Sequence, residues 1–523
     1  MEDEKDEKDF DDENYYSELQ GNDDNGDKNP IIHVARDHVT VTLIFAVSSA
    51  VWGSFQFGYN TGVVNAPQML IETFINDTYK SRYNVKFMPE DRIQFLWAFI
   101  VAIFSIGGLF GSFCAGKIAN AVGRSHGMLF STVLSILAGL LMWFSKQASS
   151  YEMLVIGRFI IGFYCGISTG LVPMYLSEIA PTNLRGAVGV FHQLFVTIGV
   201  LVSQILGLNE ILGTEQYWPL LLGLTIIPAV YQILTLPFCP ESPRYLLFNK
   251  QKVKESEKAL QRLRGTLYVM SDMKEMKEEY EKEKKEEKTS VIGLFKIESL
   301  RRPLVISVVL QISQQFSGIN VVLYYSTLLF ISAGISEKNS QYATVSTGIT
   351  LVVFTLISVP LMDRVGRRTL HLSGLAGMIC AATTLTLGLI LLKYDVWNGA
   401  AIISIISTIV FVASFSIGPG SIPWLIVVEL FAHGERAAAM SVAYPINWLS
   451  NFLVGISFPA LLSALNAYVF LLYIVLLLFF WLFTFKFVPE TKNKSFEEIV
   501  SIFRQQSMKD YGTSDVTDKD KPS

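Results

Sequence analysis

Long apolar runs separated by short charged junctions pattern this chain from end to end. The runs fall near 38–58, 93–114, 127–145, 152–174, 187–207 and 217–238, and again near 303–323, 341–362, 370–392, 400–425, 438–461 and 467–487. Each approaches the ~20 residues that an α-helix needs to cross the hydrocarbon core of a bilayer. Lipid offers backbone groups no hydrogen-bond partner, so runs of this length predict helices. Between the two sets of six, residues 250–289 are dense in Lys, Glu and Arg, with Leu and Met at loose helical spacing. That stretch predicts a solvated, partly helical loop. The fold class is therefore all-α integral membrane, with twelve transmembrane helices in two six-helix bundles.

The charged junctions repeat. Glu178 and Arg185 in SEIAPTNLRG return as Glu429 and Arg436 in VELFAHGERA. VGR at 122–124 answers VGR at 365–367, and PESPR at 240–244 answers PETK at 489–492. The offset along the chain is nearly constant, which describes a duplicated membrane transporter with two pseudo-symmetric halves. The expected organisation is an acidic tail at 1–35, a first bundle at 36–240, a cytoplasmic helical linker at 241–300, a second bundle at 301–488 and a tail at 489–523.

Composition narrows the class further. Of 523 residues, 51% are hydrophobic and 17% charged, and the mean hydropathy of +0.39 is too high for a soluble chain of this size. Four cysteines lie in or beside apolar stretches and build no disulfide framework. Residues 1–30 hold thirteen Asp or Glu against three Lys, which predicts a disordered tail and no secretory leader. No basic patch suits nucleic acid. Lys117, Arg124, Arg185, Arg364, Arg367, Arg368 and Arg436 all fall on one side of the spans, which the positive-inside rule makes cytoplasmic together with both termini. Lys80, Arg82 and Lys86 in the 59–91 loop oppose this and are outvoted. The same loop carries the sequon Asn76-Asp77-Thr78, consistent with an outer location.

No nucleophile–base set, phosphate-binding lysine loop or metal-ligand spacing is present, so no enzyme, no cofactor, no metal and no nucleotide hydrolysis are expected. The polar groups inside the spans are neutral. In VLQISQQFSGINVVLYYS, Gln311 and Gln315 share a helix face, with Ser313, Gln314, Asn320, Tyr324 and Tyr325 nearby. An amide both donates and accepts, as a sugar hydroxyl does. Amides as glue between helices explain one or two such residues, but not this cluster. Asn447 and Asn451 repeat the four-residue spacing around Trp448, and Gln193 beside His192 precedes Gln204. The stretch FSIGPGSIPW predicts a broken, pathway-lining span with Trp424 at its end. Mid-span carboxylates, the usual ion relays, are scarce, and the first span ends QFGYNTG with neutral Asn60. This favours movement of a neutral solute down its gradient. The ionisable residues Arg124, Arg158, Glu178 and Arg185 in the first half, with Asp363, Arg364, Arg367, Arg368, Glu429 and Arg436 in the second, predict a matched cytoplasmic latch. Glu241, Arg244 and Glu490 are expected to tie the loop and tail to it.

Taken with GYNTGVVNAPQ (58–68), GRFIIGFYCGISTGLVPMYLSEIAPTNLRGAVG (157–189), PESPRYLL, QISQQFSGINVVLYYS, DRVGRRTLH, GPGSIPW, NWLSNFLVG and VPETK, the chain resembles the facilitative glucose transporters of the major facilitator superfamily, class I, animal type. The resemblance covers about 38–500. It implies alternating access between two bundles and a sugar site near the bilayer midplane made by Gln193, Gln314, Gln315, Asn320, Trp424 and Asn447. The family's glucose-preference motif reads Gln311-Ile312-Ser313 here. Proton symporters of the superfamily carry aspartate where Asn60 stands. Three departures are Ser125 for a latch arginine, Leu351 for a sugar-binding asparagine and Ser416 for a glutamate, the last two expected to alter the cavity. The implied partners are D-glucose and other hexoses and the lipid bilayer, with a monomer as the working unit in the plasma membrane. A proton-coupled sugar symporter, a sugar sensor, and a carrier of myo-inositol or dehydroascorbate stay open as alternatives.

Overall fold

The computed structural model describes residues 39–492 apart from Lys86, Thr182, Asn183, 286–289, Asn398 and Ala432, together with Lys494 and Glu498. The N-terminal tail and most of the C-terminal tail lie outside the described residues. The first half comprises α1 (Val41–Gly62), a short outer helix α2 (Gln68–Tyr83), α3 (Glu90–Val122), α4 (Arg124–Phe144), α5 (Tyr151–Ile179), α6 (Arg185–Leu206) and a sixth crossing split into α7 (Trp218–Gly223) and α8 (Ile226–Thr235). The connecting loop holds α9 (Pro243–Phe248), α10 (Val253–Arg264), α11 (Met270–Lys285) and α12 (Val291–Lys296). The second half comprises α13 (Glu298–Phe316), α14 (Ile319–Ser332), α15 (Glu337–Val365), α16 (Arg367–Lys393), α17 (Ala400–Ile417), α18 (Ile422–Glu429), α19 (His433–Leu465) and α20 (Val469–Phe487).

Among the described residues, 11 helical stretches are long and apolar enough to cross a membrane. The last, Glu435–Phe487, contains nearly all of α19 and the whole of α20 on either side of a 3-10 turn at Asn466–Tyr468, so twelve crossings result. Several helices run well past the predicted apolar runs; α3 has 33 residues. The polar extensions project beyond the hydrocarbon, where helical hydrogen bonding continues without hydrophobicity. The outer loop read at 59–91 contains α2, seated by Ile71, Ile75 and Thr78, all buried. Their helical spacing is the signal for it.

The duplication is visible in the packing. Contacts of α1 with α6 are matched by α13 with α19, α3 with α5 by α15 with α17, and α4 with α8 by α16 with α20. The two halves meet along α3 with α19 and α6 with α15. Small residues let backbones approach within the first half: a Cβ on Gly107 would lie 2.1 Å from Phe159 O, and one on Gly162 would lie 1.9 Å from Phe104 O. Trp448 of α19 lies against Gly108 of α3, where a Cβ would come within 2.3 Å of the indole, and it touches Phe57 and Phe104. That side chain packs the joint between the halves.

Candidate functional site

Two helix breaks face each other in the second half. The span drawn at 303–323 is in fact interrupted: α13 ends at Phe316, Gly318 takes φ +92, and α14 continues to Ser332. The second break, expected from FSIGPGSIPW, separates α17 from α18 at 418–421. A broken span frees backbone carbonyls that lipid cannot satisfy. Glutamines of α13 satisfy them instead. Gln314 Nε2 donates to Pro419 O at 3.0 Å and Gly420 O at 2.7 Å, and Gln311 Nε2 adds a bond of 3.2 Å to Pro423 O, just inside α18.

The remaining amide groups form one joined cluster. Asn447 Nδ2 donates to Gln311 Oε1 at 2.7 Å and Gln314 Oε1 at 2.8 Å. Gln315 Nε2 donates to Asn447 Oδ1 at 2.8 Å, and Asn320 Nδ2 donates to Gln315 Oε1. All five side chains are buried. The cluster carries no charge, and its bonds run between groups that can each trade a partner for a hydroxyl.

Other expected site residues stand apart from it. Gln193 is half-buried on α6 and Trp424 is half-buried on α18, with its ring 4.6 Å from that of Tyr444. Ile312 faces an apolar cluster, and Ser313 bonds back to Leu310 O. Leu351 packs in the same apolar cluster with Val200, Val322 and Phe411, and Ser416 bonds to Val412 O on its own helix. Asn451 accepts from Tyr324 OH at 3.0 Å.

A second polar network, missed in the sequence, lies inside the first half. Gln56 Oε1 accepts from Ser135 and from Thr225 Oγ1, and Gln56 Nε2 donates to Tyr164 OH at 3.1 Å. Tyr164 OH donates to Gln232 Oε1 at 2.7 Å, and Asn60 Nδ2 donates to Thr225 Oγ1 at 3.0 Å. These six residues come from four spans, at most two from each, so no clustered motif announces them. Asn60 is fully buried here. Arg158 corrects the latch assignment: it lies two turns from the outer start of α5, while Glu178 is at the opposite end. Its guanidinium is buried, donates to Asn60 O at 2.7 Å and Ile100 O at 3.4 Å, and sits over the Phe104 ring.

At the cytoplasmic ends the repeated motifs build the same device twice. Glu241 accepts the N–H groups of Arg124, Ser125 and His126 at the start of α4. Glu490 accepts those of Arg367 and Arg368 at the start of α16. A carboxylate at a helix N-terminus satisfies orphan donors and meets the positive end of the dipole. Gly123 and Gly366 adopt φ +99 and +103, and a Cβ on either would lie within 2.6 Å of the capping carboxylate. Arg124 pairs with Glu178 at 2.8 Å and Arg367 with Glu429 at 3.1 Å, each within its own half. Ser242 and Thr491 donate to those same glutamates. Arg244 departs from the expected latch and pairs with Glu279 of α11. Arg368 donates to Phe485 O, Arg436 to Phe431 O, and Arg364 lends its carbonyl to Lys492. The side chains of Arg185 and Asp363 lie outside the described residues.

At the outer ends, bonds cross between the halves. Asn65 Nδ2 donates to Leu323 O at 2.9 Å and Ser326 Oγ at 2.7 Å, and Asn65 Oδ1 accepts from Thr327 N at 3.1 Å. Asn209 bonds Gln341 twice, and Lys338 pairs with Glu210 at 3.1 Å, holding its carboxyl below the usual range. The outer mouth is therefore closed over the amide cluster. Asn76 lies on α2, where its Oδ1 accepts from Met88 N at 3.0 Å.

Comparison with known proteins places these features. The sequence model of the family described as "Sugar (and other) transporter" matches residues 46–503. The facilitated glucose transporter member 3 of sheep (Ovis aries) is 51% identical, and the human (Homo sapiens) one 50%, each over 90% of this chain and 94% of its own length. Chicken (Gallus gallus) member 1 is 49% identical over 89% of this chain and 94% of its own. Among solved structures, the partially occluded inward-open conformation of the xylose transporter XylE from E. coli superposes with a TM-score of 0.73 at 26% identity, covering 87% of this chain and 100% of that one. The proton:xylose symporter XylE bound to 6-bromo-6-deoxy-D-glucose gives 0.73 at 26% identity, covering 89% and 100%.

Proposed function

The chain belongs to the sugar transporter family, and from that premise we infer that it equilibrates D-glucose and related hexoses across the plasma membrane by alternating access. Hexose transport follows from the relationship to the facilitated glucose transporters. The amide cluster supports the finer reading of where the sugar binds. Gln314, Gln315, Asn320 and Asn447 exchange bonds among themselves for bonds to sugar hydroxyls. Each such bond is worth only ~0.5–1.5 kcal/mol net, and exchange of one satisfied bond for another largely cancels, so binding stays weak enough for release. Gln193 and Trp424 complete the site, the indole offering a flat apolar face to the ring. Gln311-Ile312-Ser313 bears on glucose preference, and a single chain contains the whole pathway, so the monomer is the working unit.

Closure of the outer mouth alternates with closure of the inner one. The Asn65 bonds hold the first, and the second closes when the cytoplasmic ends that carry Arg124, Glu178, Glu241, Arg367, Glu429, Arg436 and Glu490, here bonded within their own halves, meet across them. Uniport, rather than proton symport, is supported by the neutral amide at Asn60 and by Arg158, whose hydrogen bonds go to the backbone carbonyls of Asn60 and Ile100. The deciding experiment is uptake of labelled D-glucose into proteoliposomes with and without an imposed proton gradient. Saturable equilibration, blocked by D-glucose and not L-glucose, is the expected result. Gradient-driven accumulation would overturn uniport, and absence of uptake by folded protein would overturn the substrate.

A further inference from the structure

Helix α10 of the cytoplasmic loop is fastened to the inner ends of three membrane spans. Thr40, the N-cap of α1, donates its hydroxyl to Leu263 O at 2.6 Å. Arg264 donates to the carbonyl of Ile179, the last residue of α5, at 2.9 Å, and Arg262 donates to Phe238 O, past α8, at 3.0 Å. The turn that follows α10 is built on Gly265 at φ +67, and a Cβ there would lie 3.2 Å from Thr40 Cγ2. This turn is thus at the level where α1 enters the bilayer.

The turn carries two adjacent large apolar side chains that none of the described residues of the loop covers. Leu267 and Tyr268 are 77% and 76% exposed, whereas the next residue, Val269, turns inward to the loop's own small core with Leu260 and Met273. Val39 and Val41, on either side of Thr40, and Ile44 one turn on are exposed as well, at the lipid-facing inner end of α1. Leu267 and Tyr268 therefore continue a surface that the bilayer already covers. Tyrosine, with an apolar ring and a polar tip, favours the interface between hydrocarbon and headgroups, and leucine gains by entering the acyl boundary. Exposed Arg262 adds a cation at the same edge, facing the anionic inner leaflet.

We propose that the Leu267–Tyr268 turn is a membrane-surface anchor of the cytoplasmic leaflet. It inserts Leu267 at the acyl boundary and seats Tyr268 among the headgroups. The loop is thereby held against the first half while the second half moves. This rests on the membrane placement of the chain and not on the identity of its sugar.

The test places a fluorophore on the turn. Leu267→Cys, in a chain whose Cys114, Cys165, Cys239 and Cys380 are replaced by serine or alanine, is labelled with NBD and reconstituted in phosphatidylcholine–phosphatidylserine vesicles. Shallow nitroxide-labelled lipid is expected to quench it about two-fold or more relative to the same label at Glu275→Cys, on the exposed side of α11. Equal quenching at the two sites overturns the proposal. So does a blue-shifted label that the nitroxide lipid does not reach, which would mean that the chain itself covers the turn. Hydroxyl-radical footprinting of the unaltered chain in nanodiscs supplies a measurement free of substitution. Tyr268 is expected to be oxidised less than Tyr280, although Tyr280 is the more buried within the protein and packs its ring on Phe248. Equal or greater oxidation of Tyr268 overturns the anchor.

Discussion

Asn447→Ala tests the sugar site most directly, because Asn447 is the hub of the amide cluster. Its Nδ2 serves the side-chain oxygens of Gln311 and Gln314, and its Oδ1 accepts from Gln315. Alanine leaves Gln311 Oε1 buried without that donor, whereas Gln315 keeps a bond to Gln314 Oε1 at 3.3 Å. One orphaned buried acceptor costs ~1–3 kcal/mol, and a lost bond to the sugar adds ~0.5–1.5 kcal/mol. Part of the first cost falls on the empty protein as well, so a net loss of about 1–3 kcal/mol in transition-state stabilisation is expected, or roughly 5- to 150-fold in kcat/KM. The assay is initial-rate D-glucose uptake into proteoliposomes over a range of concentrations, normalised to folded protein. Asn451→Ala is the matched control: it lies one turn further along α19 and is bonded to Tyr324 rather than to the cluster. Its effect should stay below about three-fold. Uptake by Asn447→Ala within two-fold of the parent, or equal losses in both variants, would refute the assignment.

Three further outcomes are expected. Asn65→Ala removes the bonds to Leu323, Ser326 and Thr327 across the outer mouth; a loss of ~1–3 kcal/mol should move the equilibrium toward the outward-open form by about 5- to 150-fold, and unchanged binding of an impermeant outside-acting inhibitor would count against it. Gly123→Ala forces a side chain onto φ +99 and into the Glu241 carboxylate, so ~1–3 kcal/mol of stability and several degrees of melting temperature should be lost; Gly189→Ala, with nothing within 4 Å of the added Cβ, should change little, and equal melting of the two would sink the argument. Thr78→Val keeps the buried shape of Thr78 and removes the sequon hydroxyl, so it should abolish an N-glycanase-sensitive mobility shift of the chain from mammalian cells; no shift in the parent would mean that Asn76 is not modified.

How much was legible in the sequence differs from element to element. The broken tenth span was readable because glycine and proline act on the backbone at the position where they stand. The break at Gly318 was not, since a lone glycine in an apolar run also fits a continuous helix. Helix α2 escaped for lack of a hydrophobic run, although Ile71, Ile75 and Thr78 have the right spacing. Gln311, Gln314 and Gln315 were visible as a cluster because they are neighbours on one helix. The network of Gln56, Asn60, Ser135, Tyr164, Thr225 and Gln232 was invisible because its members are spread over four spans, at most two to a span, and meet only in the fold. Arg158 was drawn to the wrong end because a charge in an apolar run was read as a boundary, whereas carbonyls and an aromatic ring receive it inside the helix packing.

Sequence alone determined that the chain spans a membrane, that it is duplicated, and that neutral amides occupy its interior. Hydrophobicity, repetition and residue type are properties of the chain itself and persist in any conformation. Tertiary structure alone decided which carbonyls Gln311 and Gln314 satisfy, that Glu241 and Glu490 cap helices α4 and α16, and which mouth is closed. Each of these is a contact between residues distant in the chain, and its energy exists only when packing brings donor and acceptor to within about 3 Å.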